Sequence, residues 1–120
     1  MSFGANNNSN RKPLTSIQKF QIKSDFIDKM HEIYIYAQHN DIAYHDKMKL
    51  YGLRKQAIFG NIRKKRPFWC YFMNRYKIDK WESWNEYFNF EKFLTMKLYI
   101  EYADNILGTN YDNIINCADF

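Results

Sequence analysis

Cysteine is scarce in this chain: Cys70 and Cys117 are the only two among 120 residues. That is too few for a disulfide framework, so reduced thiols in a reducing compartment are expected. No long Gly, Ser or Pro linker interrupts the sequence, which excludes an obvious division into several domains and leaves one domain large enough to bury a core. No stretch approaches the roughly 18 uninterrupted apolar residues of a membrane span. The first residues lack the apolar region of a signal peptide, and Ser2 stands where a myristoylation pattern needs glycine. In the terminal CADF, Asp119 stands where a prenylation box wants an aliphatic residue. A cytoplasmic location is the expectation.

Catalytic and metal motifs are missing as well. The three histidines, His31, His39 and His45, match none of the usual zinc spacings, and neither a GxSxG elbow nor a phosphate-cradling glycine loop occurs. The expected sets of catalytic residues and of metal ligands are therefore empty, no cofactor is called for, and a binding protein is a better reading than an enzyme.

What the chain does contain is apolar, aromatic and basic. Hydrophobic residues make up 46% and aromatic residues 19%, and the net charge is +5. Such a balance favours an anionic partner, with nucleic acid, a membrane surface and phosphorylated metabolites all open.

Periodicity predicts an all-α fold. The Asn-rich stretch up to about Lys12 reads as a loose tail. From Pro13 to Lys23 the pattern is mixed: Ile17 and Phe20 fit a helical stripe while KFQIK alternates, and a short helix leading into the next is the reading. Helix one is expected from Ser24, a good N-cap, to Gln38, with Phe26, Met30, Ile33 and Ala37 inward. Asn40 or Asp41 is expected to cap helix two, from Ile42 to Phe59, which Gly60 ends. A long loop follows, with the basic run Arg63 to Arg66 read as solvated. Helix three is expected from Asp79, with Trp81, Trp84 and Phe88 as a core stripe. Asn89 is expected to cap helix four, Phe90 to Ile106, before Gly108 ends it.

Helix two carries the most informative pattern. Leu50, Leu53 and Ala57 share one face, while Tyr51, Arg54 and Lys55 share another at i, i+3 and i+4. Along a third line Tyr44, Met48, Tyr51 and Lys55 pass from apolar to cationic, which suits a ligand with a greasy end and an anionic end. A core stripe running out into solvent has the same pattern.

The segments YGLRKQAIFGNIRKKRP, KIDKWESWNE and MKLYIEYAD resemble the acyl-CoA-binding protein family, whose members carry YxxYKQAxxGD, RP, KxKWxAWN and AYI in that order. The resemblance extends from about Phe26 to Asp104. It implies an antiparallel four-helix bundle with N- and C-terminal extensions: 1–23 an extension, partly disordered, 24–107 the acyl-CoA-binding domain, and 108–120 a tail. It also implies a surface groove for the acyl chain with the coenzyme A head group over it. On that resemblance Lys55 and Lys80, with the Tyr51 hydroxyl, contact the 3′-phosphate, Tyr99 supports the nucleotide end and Met48 lines the groove. Trp81 and Trp84 match the family's core tryptophans. Arg54 stands where the family has a second tyrosine that stacks on adenine; a guanidinium can take the same place against a base. Tyr34 stands where the family has a helix-one lysine, and the stretch from Pro67 to Trp81 is longer.

The function so implied is non-catalytic binding, buffering and transport of medium- to long-chain acyl-CoA esters by a monomer. Acyl-CoA-using enzymes and membranes are transient partners, and nucleic acid is not one. Composition alone leaves a basic, aromatic-rich RNA-binding helical module, using the RKKR loop, as the alternative, and a membrane-surface adaptor as a third.

Overall fold

The computed structural model describes residues 12–68 and 75–118, with the backbone alone for 109–118. Among these residues are four helices: α1, Ser16–His39; α2, Tyr44–Phe59; α3, Arg75–Asn85; and α4, Lys92–Ala118. No strand accompanies them in the described residues, so the fold is all-α as periodicity predicts, and a four-helix bundle as the family resemblance implies.

The helix boundaries follow local hydrogen bonding that periodicity alone had placed differently. α1 begins eight residues before Ser24 because Thr15 and Gln18 form a capping box: Thr15 Oγ1 accepts from the Gln18 N–H at 3.1 Å and Gln18 Oε1 accepts from the Thr15 N–H at 2.8 Å. Two orphan donors are satisfied at once, which outweighs what Ser24 offers as a cap. Asn40 ends α1 rather than starting α2, donating from Nδ2 to the Tyr36 carbonyl at 3.0 Å. α2 then starts at Tyr44 behind Ala43, with no side-chain cap. Its end is as expected: Gly60 takes φ 77° and its N–H bonds the Gln56 carbonyl at 2.9 Å, the left-handed geometry that favours glycine.

α3 begins at Arg75, earlier than Asp79, and the Arg75 guanidinium pairs with Asp79 at 3.1 Å one turn on. The helix stops at Asn85, so Phe88 lies in the following turn, exposed, and is not core. Ile78, fully buried, is the core residue of this helix. Most of the aromatic run from Phe68 to Phe72, with Cys70, lies outside the described residues.

Asn89 does not cap α4. It adopts φ 69° and exchanges hydrogen bonds with Asn61, its N–H donating to Asn61 Oδ1 at 2.6 Å and its Oδ1 accepting from Asn61 Nδ2 at 2.8 Å. Glu91 caps instead, its two carboxylate oxygens accepting from the N–H groups of Phe93 and Leu94 at 3.0 and 2.9 Å, where a negative charge also meets the positive end of the helix. α4 runs through Gly108 to Ala118; a helical glycine costs about 1 kcal/mol against alanine, too little to stop a long helix.

In space the order is α3, α2, α4, α1: α2 packs on both α3 and α4, and α1 packs on α4. Phe26 and Ile33 of α1, Leu50, Leu53 and Ala57 of α2, and Met96, Tyr99 and Ala103 of α4 form the core. Lys29 Nζ bonds Asp104 at 2.7 Å, tying α1 to α4, and Tyr102 donates to Asp46, tying α4 to α2. α1 and α2 do not pack on each other. Between them, above α4, a trough is left open.

Candidate functional site

The trough is a groove of about 580 Å³. Met30, Ile33, Tyr34 and Ala37 line it from α1, and Met48, Leu50, Tyr51 and Arg54 from α2. Tyr99 reaches it from α4 and Tyr76 from α3. Tyr99 is buried, packed edge-on against Phe26 with ring centroids 5.2 Å apart. Burial pushes its phenol up to about 12, against a smaller opposing pull from Arg54. The groove is thus largely apolar and aromatic, with the Lys47 ammonium and the Arg54 guanidinium on its α2 side.

A second cavity of about 340 Å³ opens against α3. Lys64 and Lys65 of the loop and Lys77 and Lys80 of α3 bring four cations to it, and Tyr51, Trp81 and Trp84 supply aromatic surface. Tyr51 lines both cavities.

Three cations gather on the Tyr51 ring. Lys80 Nζ lies 5.0 Å from its centroid, Arg54 Cζ 5.6 Å and Lys55 Nζ 5.7 Å. Lys55 also stands 4.8 Å from the Phe59 ring and 5.6 Å from that of Trp84. Such geometry gives each cation a π-face and leaves its N–H donors for another partner. Among the described residues none of Arg54, Lys55, Lys64 or Lys80 is paired with a carboxylate. Burial first, and then the charges of Arg54, Lys80 and Lys64, hold Lys55 below its ordinary range. Burial pushes the Tyr51 phenol up, while Arg54 pulls the other way. An anion entering here relieves the repulsion that the cluster carries when empty.

The two tryptophans do more than fill space. Both are half-buried: Trp84 Nε1 donates to the Gly60 carbonyl at 2.9 Å and Trp81 Nε1 to the Lys64 carbonyl at 2.8 Å. The core role expected of them becomes a fastening role, since α3 holds the loop after α2 through these indoles. Arg66 adds a third fastening, bonding Glu82 through Nη2 at 2.6 Å. Of the basic run read as solvated loop, Arg66 is therefore committed to an ion pair, and Lys64 and Lys65 face a cavity.

The six site residues expected from sequence fall into one continuous region. Met48, Arg54 and Tyr99 line the groove, Lys80 the basic cavity, and Tyr51 both, with Lys55 over the Tyr51 ring. Sequence reasoning missed Lys64, Lys65 and Lys77. Lys77 stands three residues before Lys80 on one helix, a spacing that puts both on one face, and this was the available signal. No sequence pattern announces that the loop lysines fold back, because two indoles and Glu82 decide it.

A family model described as "Acyl CoA binding protein" matches residues 17–103. Among solved structures, the crystal structure of acyl-CoA-binding protein 2 from Oryza sativa matches with a TM-score of 0.66 and 26% identity, over 76% of this chain and 96% of that one. No curated protein matches the sequence. The family model spans well over half of the chain and includes both cavities, and the chain belongs to the acyl-CoA-binding protein family.

Proposed function

We propose that this protein binds acyl-CoA esters of medium to long chain and carries and buffers them in the cytoplasm, without catalysing a reaction and without a cofactor. The observation that carries the reading is Tyr51, a single side chain that lines both a largely apolar groove and a cavity with four lysines. A molecule that is a hydrocarbon at one end and a polyphosphate at the other fits that juxtaposition. A purely apolar ligand has no use for the cations, and a free nucleotide has none for the groove.

In this reading the acyl chain lies along Met48 between α1 and α2, where each buried methylene contributes ~0.8 kcal/mol. Lys55 and Lys80, with the Tyr51 hydroxyl, hold the 3′-phosphate; ammonium groups suit a compact anion of this kind. Arg54 offers its planar face to the adenine, and Tyr99 closes the groove beneath the nucleotide end. The protein acts as a monomer and hands its cargo to acyl-CoA-using enzymes and, transiently, to membranes. Nucleic acid is not a partner.

Native mass spectrometry of the protein as purified tests the reading. The expected spectrum shows bound masses that share a coenzyme A component and differ by two-carbon units. Bound nucleic acid, or a fatty acid carried without coenzyme A, contradicts it.

A further inference from the structure

The groove has an end as well as a length. α1 passes the chain to α2 through residues 40–43, and Asn40 closes α1 by donating to the Tyr36 carbonyl at 3.0 Å. Ile42 lies in this link, 8% exposed, and belongs to the core cluster. It lines the groove together with Ala37, the last α1 residue of the lining. Ala37 offers only a methyl group, so the bulk at this end is that of Ile42. Arg54 and Lys55 stand toward the other end, because α2 advances about 15 Å between Tyr44 and Arg54.

A further hollow, of about 300 Å³, adjoins the same link. It brings together the carboxylates of Asp41 and Asp46, the phenol of Tyr102 and the amide of Asn105. Tyr102 donates to Asp46. Burial, and then that bond, push its phenol up to about 12, so it stays a donor at neutral pH. Of the described residues, Ile42 alone lines both the groove and this hollow. A hydrocarbon end pushed past Ile42 strips water from Asp41 and Asp46, and desolvating a charge outweighs what a buried methylene returns.

We propose that Ile42 is the end wall of the acyl groove and sets the longest chain that the protein accommodates. On the acyl-CoA reading, on which this assignment rests, the terminal methyl group comes to lie on the Ile42 side chain. Methylenes beyond that length find no apolar surface and stay in water. The upper limit of chain length is thus set by one side chain in the link between α1 and α2, far along α2 from the cations that hold the head group.

Calorimetry of the full chain with saturated coenzyme A esters from eight to twenty carbons tests the proposal, on the parent and on Ile42→Ala, Ile42→Val and Ile42→Phe. In the parent each methylene is expected to tighten binding about fourfold up to a break, after which affinity is constant. Ile42→Ala removes bulk worth roughly three carbon atoms, and the break is expected to move about two carbons longer. The ester at the new break then binds roughly 16-fold more tightly than it does to the parent. Ile42→Phe projects further into the groove and is expected to move the break to shorter chains. Ile42 is buried, so Ile42→Val, a smaller truncation, accompanies the alanine variant and is expected to move the break in the same direction by about one carbon. The shortest esters, whose chains end before Ile42, are expected to bind all four proteins alike, which also shows that the variants are folded. A break at one chain length in every variant that melts cooperatively overturns the end wall and leaves the acyl-CoA reading standing. So does a parent series that rises without a break, or a loss of equal size at every chain length, which marks Ile42 as a core residue only. A parent affinity that does not vary with chain length removes the acyl-CoA reading, and the end wall with it.

Discussion

The carbonyl of Ser83 fills the space into which a β-carbon on Gly52 would project. Its carbon atom lies 2.6 Å from that position, with a Tyr87 ring carbon 3.0 Å away. α2 and α3 therefore touch backbone to side-chain space at one point, and that approach brings Lys80 over Tyr51. Glycine is needed here for room, not for backbone freedom.

Gly52→Ala is expected to destabilise the fold by about 1 to 3 kcal/mol, the range for overpacking against atoms that cannot turn aside. The obstacle is backbone, so it outweighs the helix propensity that alanine adds, about 1 kcal/mol. Gly108→Ala is the internal control: nothing lies within 4 Å of its β-carbon position, and it sits inside α4. A gain of about 0.5 to 1 kcal/mol is expected there. Urea unfolding of both variants checks the pair, and a neutral Gly52→Ala refutes the close approach.

Lys55→Ala is expected to weaken acyl-CoA binding by about 1.5 to 3 kcal/mol, the range for a hydrogen bond to a charged group. Dephospho-coenzyme A esters lack the 3′-phosphate, and the variant should discriminate little between them and the full ester. Equal discrimination by parent and variant in calorimetry removes Lys55 from the phosphate.

Arg54 stands over the Tyr51 ring and lines the same groove as Tyr99, so charge and planar face make opposite forecasts there. Stacking on adenine predicts that Arg54→Lys loses about 1 kcal/mol or more while Arg54→Tyr is tolerated. Charge alone predicts a harmless lysine and a costly tyrosine, with the loss shrinking as salt rises. Titration of both variants at low and high salt decides, and stacking is the expected result.

The depressed Lys55 pKa gives binding a pH dependence of fixed sign. A bound anion raises that pKa, so the protonated lysine binds the tighter complex. Affinity is therefore constant near neutrality, where free and bound forms are both protonated. It falls as pH rises through the free-state value, which lies below 10.5, and levels off above the bound-state value. Calorimetry with a thioether analogue in buffers of differing ionisation enthalpy should detect proton uptake over that alkaline window. The uptake should vanish in Lys55→Ala; uptake of equal size in both proteins assigns it elsewhere.

The parts of this fold legible in the sequence are those set by neighbours on one helix. The buried face Leu50, Leu53 and Ala57, the cluster Tyr51, Arg54 and Lys55, and the stop at Gly60 all follow from spacing of three and four. What was not legible depends on groups far apart in the chain or on competition between caps. Asn61 claims Asn89, so Glu91 inherits the cap; Gln18 answers Thr15, so Ser24 is swallowed by α1. The outward stripe of Ile17 and Phe20 blurred the period over the same turns. Lys64 and Lys65 join the cavity only because Trp81, Trp84 and Glu82 hold the loop.

The division of labour across Tyr51 is tested most directly by calorimetry over a series of coenzyme A esters from eight to eighteen carbons. Each added methylene should tighten binding by ~0.8 kcal/mol, about fourfold, until the groove is full. The increments should persist unchanged in Lys55→Ala, whose loss is a constant offset. An affinity that does not vary with chain length contradicts the account, because the groove between α1 and α2 then holds no acyl chain.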